Sequence, residues 1–383
     1  MSHSTHPHSG TPNPPNPAVL RVAHLVKGLG PGGAERLIVN QLETADPSID
    51  YAVFRLIERK DHLVEAVAAT GAQSVLVDGG RLWPIALRKR LSAFGPDVIH
   101  AHSPLLAIVA RLLVTFTRLD AKVLTTEHNR WPRHHRLTRL ANRATARFDT
   151  ARIAVSEDVR SSMSPFLGDT TTVLDHGVLL ASLNELRSKR DEMRTQLFGT
   201  DADTIVAIGI VANFRPEKAY DTFLDAAEQV IGDQPDVRFV VVGQGPGEAD
   251  FRRSVQDRAL SSSIDILGYR EDATTVMSAF DIFTLTSRHE GKPVSLMEAF
   301  ALSIPVVTTR AGGIPEVVTD GINGILVDID DVPAIAAAWV QLATDGHLRK
   351  EMGHAAAISA LDFDAAVATK SIESTYRSLV GRG

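Results

Sequence analysis

Residues 286–327 read "TSRHEGKPVSLMEAFALSIPVVTTRAGGIPEVVTDGINGILV". The stretch opens on the end of an apolar, β-branched run, 281–287, and turns through Gly291 and Pro293. The spacing then predicts a helix from Pro293 to about residue 302, because proline suits a first turn where its missing N–H costs nothing. Two further short strands follow at 305–309 and 324–328. Strands this short and apolar are buried on both faces, which predicts a parallel sheet covered by helices. Glu290 and Glu298 stand eight apart across the turn. The free N–H groups near Val294 and Ser295, with the positive end of the helix dipole, would face an anion. Glu290 sits just before that end. Glu298 lies one turn in, among Leu296, Met297, Ala299, Phe300 and Ala301. A carboxylate there needs donors, and sugar hydroxyls would serve. Read as a bare pair of acids, the same residues also fit an amphipathic helix with one solvated glutamate.

The pattern of that stretch repeats along the chain. Strands are expected at 19–26, 51–57, 73–77, 97–102, 122–128, 151–156 and 171–175, and again at 205–212, 237–243 and 264–268. Helical segments fill the gaps. Two consecutive βαβ domains follow, one at 19–182 and one at 183–360. A closing helix at 361–383 is expected to pack back toward the first. The polar stretch 183–204 reads as a short helix and connector rather than core. Two facing sheets place ligands at the carboxyl ends of their strands, so a cleft between the domains is the expected site.

Composition narrows the class. The chain has 383 residues, net charge −6 and no cysteine. That excludes disulfides and thiolate metal sites and fits a reducing, cytoplasmic compartment. No global basic field argues for nucleic acid, and no apolar run is long enough to span a membrane. Residues 1–18 lack the apolar core of a signal peptide and read as a disordered tail.

Two other stretches bear on phosphate. "GIVANFRPEKAYDTFLDAA" (209–227) places Arg215 and Lys218 after a strand and before a helix. Such a fork and point charge can converge on a diphosphate. "VAHLVKGLGPGGAERLIV" (22–39) carries Gly28, Gly30 and Gly33 on the spacing of a dinucleotide fingerprint, with Glu58 as the supporting acid. Alone, that spacing is weak evidence for an NAD-type oxidoreductase. His102 and His128 fall just past two strands.

The stretch 286–327 resembles the Glu-x7-Glu motif of retaining glycosyltransferases of family 4, which have the GT-B architecture: α/β, two Rossmann-like domains across a deep cleft. The likeness spans roughly residues 20–360 and is firmest over 205–328. It implies that Glu290 contacts the donor sugar and Glu298 the ribose. Backbone from Gly291 through Lys292, Pro293, Val294 and Ser295 would face the phosphates. Lys292-Pro293-Val294 stands where many members have Phe-Gly-Leu. Arg215 and Lys218 match the family's Arg-x-x-Lys-Gly diphosphate loop, with Ala219 in place of its glycine. The backbone at Tyr269 and Arg270 would lie by the base, Gly32 and Gly33 would approach the diphosphate, and His128 would stand near the reacting sugar. "DHGVLL" (175–180) replaces the usual Asn-Gly-Val-Asp turn. The resemblance further implies a UDP- or GDP-sugar donor, no obligate metal, and transfer to a glycan, lipid or small-molecule hydroxyl with retention. An epimerase on the same fold is the alternative.

One feature belongs to this chain. "RWPRHHRLTRLANRATARF" (130–148) carries Arg130, Arg133, Arg136, Arg139, Arg143 and Arg147 without an intervening acid. Their spacing puts most of them on one helical face, with Leu137, Leu140 and Ala144 as the apolar side. Such a stripe can meet an anionic membrane surface at the inner face, or be a solvated basic face.

Overall fold

The computed structural model describes residues 19–234 and 236–382. The tail at 1–18, with its three histidines, lies outside the described residues. Among those described, the first lobe holds a seven-stranded sheet: β1 (Leu20–Val26), β2 (Ile49–Arg55), β3 (Gln73–Leu76), β4 (Val98–Ala101), β5 (Lys122–Glu127), β6 (Ala151–Ala154) and β7 (Thr172–Val173). Its helices are α1 (Gly33–Glu43), α2 (Val64–Ala69), α3 (Trp83–Phe94), α4 (Pro104–Thr117), α5 (Arg136–Thr145), α6 (Glu157–Ser161) and α7 (Pro165–Gly168). Next come α8 (Leu180–Arg187) and α9 (Arg190–Phe198).

The second lobe holds six strands: β8 (Val206–Val211), β9 (Val237–Val242), β10 (Ile264–Gly268), β11 (Ile282–Leu285), β12 (Val306–Thr309) and β13 (Gly324–Val327). Its helices are α10 (Tyr220–Ile231), α11 (Glu248–Asp257), α12 (Ala273–Met277), α13 (Val294–Ala301), α14 (Val332–Thr344), α15 (Gly346–Ser359) and α16 (Ala365–Leu379).

Every strand pairing is parallel, as doubly buried apolar runs require. Strand order is β3-β2-β1-β4-β5-β6-β7 in one sheet and β10-β9-β8-β11-β12-β13 in the other. Each order reverses once, between β1 and β4 and between β8 and β11. Chain direction away from the sheet reverses at these points and leaves a crevice at the strand carboxyl ends. Both lobes therefore open a crevice at the same topological position. The architecture is the α/β GT-B arrangement of two Rossmann-like domains.

Strand alternation sorts the first lobe's core. Val22, Val98 and Leu124 pack with α1 and with Ile372 and Tyr376 of α16. Ala23, Leu25, Ile99 and Val123 pack on the other face, against α3 and α4. The last helix of the chain thus closes over the first sheet.

Residues 183–204 depart from the expected connector. They form α9 and most of α8, and Leu183 and Met193 enter the second lobe's core. Arg194 is buried there, and a full set of partners offsets the cost of removing its charge from water. It donates to the carbonyls of Ala202, Ile205 and Ala279 and pairs with Asp281 at 2.8 Å. Polar composition concealed this core because the buried charges satisfy one another.

Candidate active site

At the second lobe's crevice, two loops supply the charges. The loop after β8 carries Arg215 and Lys218, and the loop after β11 carries Ser287 and Glu290. Glu290 Oε1 accepts from Lys218 Nζ at 2.6 Å and from Ser287 Oγ at 2.6 Å. Both ends of this ion pair are largely buried. Thr286 Oγ1 donates to the carbonyls of Lys218 and Ala219, and the Arg288 amide donates to Glu217, which ties the two loops together. Gly312 is required behind them: it has φ +57°, and a Cβ there would stand 1.9 Å from the Glu290 carbonyl. Arg215 is exposed, and its side chain has no hydrogen bond or ion pair among the described residues.

The helix after Glu290 starts at Val294, with Pro293 in the N-cap position rather than inside the first turn. No side chain caps it, so the Val294 and Ser295 amides are left for a ligand. The Glu298 carboxylate has no hydrogen-bond partner among the described residues. Its pKa is pushed up to about 7 by removal from water, against the pull of Arg36 in α1.

The first lobe brings a second uncapped helix to the same place. α1 begins after Gly32, again with no side-chain cap. A Cβ on Gly33 would lie 3.4 Å from Val294 Cγ2, so the two helix starts stand face to face. Both positive dipole ends point into one gap. Glu35 occupies that neighbourhood. Burial raises its pKa, while its own amide, Lys60 and Arg215 act to lower it. One cation from each lobe therefore converges on a single carboxylate.

Histidines line the first lobe's crevice. His24 on β1 and His100 on β4 are register partners, and His102 lies two residues on, so all three share a sheet face. His24 Nδ1 meets His102 Nε2 at 2.8 Å, and His102 Nδ1 meets His128 Nε2 at 3.2 Å. His100 is bonded to Tyr376 of α16 and to Thr126. Burial holds His24 and His128 down to about 3 and His176 to about 4, so these rings are neutral at physiological pH. His128 lies against the donor loop: a Cβ on Gly291 would be 3.0 Å from the His128 carbonyl.

Not every expected side chain points into the crevice. Lys292 turns away, to Asp175 and, at 3.3 Å, to Glu316. Glu316 in turn accepts from the Glu157 and Asp158 amides of the first lobe. Lys292 and Glu316 thus bolt the lobes together, leaving only backbone at position 292 for a ligand. Arg270 is folded onto Asp272. Tyr269 is 40% exposed at the cleft mouth, with the His62 ring 5.0 Å away across it. Gly28 and Gly30 pack on Lys60, and Glu58 is exposed in the loop after β2. Sequence reasoning missed Glu35, Lys60, His24 and Glu316. The "HAH" repeat at 100–102 was a usable signal, since residues two apart on a strand share a face.

The family described as Glycosyltransferase Family 4 matches residues 31–181, and that described as Glycosyl transferases group 1 matches residues 203–345. The chain is 29% identical over 146 residues to the N-acetyl-alpha-D-glucosaminyl L-malate synthase of Bacillus anthracis, covering 38% of each chain. It is 32% identical over 171 residues to a GDP-mannose-dependent monoacylated alpha-(1-6)-phosphatidylinositol monomannoside mannosyltransferase of Corynebacterium glutamicum, covering 42% of this chain and 44% of that one. These matches span about two fifths of each relative's length. Among solved structures, HepE of Anabaena in complex with UDP and glucose superposes with a TM-score of 0.81 at 21% identity, over 94% of this chain and all of the other.

Proposed function

The chain belongs to glycosyltransferase family 4, the group 1 glycosyl transferases, and from that premise we propose that it moves a sugar from a nucleoside diphosphate sugar to an acceptor hydroxyl with retention of anomeric configuration. The reaction serves cell-envelope glycolipid, polysaccharide or glycoconjugate synthesis, on the cytoplasmic side. The observation that carries this reading is the gap between the two uncapped helix starts, flanked by Arg215 and Lys218. It is a built anion site at the switch points of both sheets.

In this reading the diphosphate lies in that gap. Lys218 exchanges Glu290 for the phosphates, and Arg215 supplies a second cation. Glu290, released, accepts from hydroxyls of the donor sugar. Glu298 accepts from the ribose hydroxyls, the donors its carboxylate lacks. Tyr269 and Arg270 border the base, and Gly32 and Gly33 bring backbone to the phosphates. His128 is neutral, so it hydrogen-bonds the reacting sugar without adding charge beside a developing oxocarbenium ion.

The bond from the anomeric carbon to the diphosphate oxygen breaks. A bond to the acceptor oxygen forms on the same face, and the acceptor proton passes to the departing phosphate. Charge growing on that phosphate is met by Arg215, Lys218 and the helix ends, an electrostatic contribution preorganised before the reaction. Turnover is therefore expected to survive EDTA.

Thermal shift with UDP, GDP, ADP and NAD is the first test. Stabilisation by UDP or GDP is expected, and stabilisation by NAD alone would overturn the reading. NMR of the product from an α-linked donor then decides stereochemistry, an α-linked product meaning retention.

A further inference from the structure

In the basic stripe 130–148, α5 turns a polar face inward: it buries Asn142, which accepts from Arg111 at 2.6 Å and donates to Glu127 at 3.0 Å. The opposite face turns outward. It carries Leu137, 71% exposed, and Leu140, 66% exposed, flanked by Arg136, Arg143 and Arg147. Arg136 and Arg143 have no acidic partner among the described residues.

The neighbouring helices extend the same surface. α4 packs beside α5 through its buried Arg111, and it exposes Leu105, Leu112 and Phe116 on one stripe. Phe116 is 72% exposed, with the Phe148 ring edge-on to it. α3 lies beyond α4, joined where Arg88 donates to the Thr117 carbonyl, and it exposes Ile85 with Lys89 and Arg90, while Arg81 is exposed in the turn just before it. Segments 80–94, 104–119 and 130–148 contain no Asp or Glu, in a chain that carries 46 of them. Acid is thus absent from three consecutive helical segments of a protein whose net charge is −6. Exposed apolar side chains set among unpaired arginines are what an interfacial surface requires. The apolar groups enter the acyl boundary while the cations meet lipid phosphates. A polyanion such as RNA would use the cations but leave the leucines and Phe116 in water.

We propose that the outer face of α3, α4 and α5 docks on an anionic lipid bilayer. The docking surface stands independently of the transfer reaction. Its position matters for that reaction and there rests on the proposed function: α4 starts two residues after His102, and α5 follows His128, so both begin at the edge where the cleft opens. An acceptor held in the membrane would reach the cleft from this side.

Vesicle co-sedimentation of the full chain tests the proposal. Phosphatidylcholine vesicles are compared with vesicles of phosphatidylcholine mixed with phosphatidylglycerol, at low and high salt. Pelleting is expected with the anionic vesicles, weakened by salt. A Leu137→Glu/Leu140→Glu variant and an Arg136→Glu/Arg143→Glu variant should each lower it by roughly tenfold or more. Both variants should keep the wild-type far-UV circular dichroism and cooperative thermal melt, which separates lost docking from lost folding. Equal pelleting with neutral vesicles, none with either, or unchanged pelleting of the leucine variant would overturn the proposal. So would duplex RNA that binds the protein and displaces it from anionic vesicles while the leucine variant binds RNA normally. Because no donor takes part, failure here leaves the transferase reading to its own test.

Discussion

The two lobes place the same topological feature, a reversal of strand order, on opposite sides of one cleft, and they furnish it with opposite chemistry. The second lobe's crevice is charged: Arg215, Lys218, Glu290 and Glu298 lie within two loops and a helix turn. The histidine lining of the first lobe's crevice is neutral. Burial strips the charge from His24, His100, His102, His128 and His176. The difference fits a bond that breaks between unlike halves. A diphosphate gains negative charge as it leaves and is stabilised by fixed cations. A sugar becoming cationic is better served by hydrogen bonds without positive charge. What the lobes share is the uncapped helix start, α1 on one side and α13 on the other.

The largest effect should come from breaking the charged side. Lys218→Ala removes the proposed diphosphate cation and leaves the Glu290 carboxylate with Ser287 as its partner among the described residues. Transfer should fall by roughly 10²–10³-fold, the range for losing one preorganised electrostatic group. Steady-state kinetics on the variant checks this, and near-normal turnover would remove Lys218 from the reaction. The neutral side should be less sensitive. His128→Ala is expected to lower kcat/KM by about 10–100-fold, as for a buried hydrogen bond that strengthens in the transition state. Its pH profile should keep the wild-type shape, because an imidazole held near 3 does not titrate in the working range.

The pH dependence should instead come from the charged lobe. Ribose hydroxyls donate, so if Glu298 holds the ribose as proposed, they bind its carboxylate form. With its pKa pushed up to about 7, only a small fraction of the free protein is ionised one unit lower. Donor affinity should therefore fall roughly tenfold from pH 8 to pH 6. Calorimetry with UDP checks this, and Glu298→Gln should flatten the dependence. The sign for folding is opposite. A carboxyl whose folded pKa is raised penalises the fold when ionised, so this group's penalty is present above about pH 7 and disappears as pH falls toward its unfolded value.

The two lobes also differed in how far they could be read in advance. The charged crevice lies on contiguous motifs, Arg215 to Lys218 and Glu290 to Glu298, each inside one loop and its helix. Local spacing was enough there. The histidine crevice is assembled by strand register. His24 and His102 are 78 residues apart and meet at 2.8 Å only because β1 and β4 are neighbours. Tyr376, 276 residues from His100, arrives on the last helix. No local pattern encodes such pairings. Periodicity did place the strands, since doubly buried runs are apolar whichever sheet order follows. It did not say which face of α5 is inside, where a fully bonded cluster of Arg111, Asn142 and Asp149 buries the polar side.

The smallest expected effect tests the diphosphate loop itself. Ala219 sits at φ +50°, the left-handed region, at the start of α10 and with its methyl group buried. An L-residue with a Cβ is strained there by about 1–2 kcal/mol, and glycine is not. Ala219→Gly relieves that strain but raises the entropy of the unfolded chain, which offsets about 0.4–1 kcal/mol of the gain. The net should be a stabilisation of about 0.5–1 kcal/mol, measurable by urea unfolding. If the loop carries diphosphate as proposed, the substitution should leave donor affinity within about twofold, because Lys218 and Arg215 keep their backbone path. A destabilised variant would mean that the Ala219 methyl contributes more by packing than its backbone loses by strain. The loop's left-handed turn would then be held by the core beneath it rather than by its own residue.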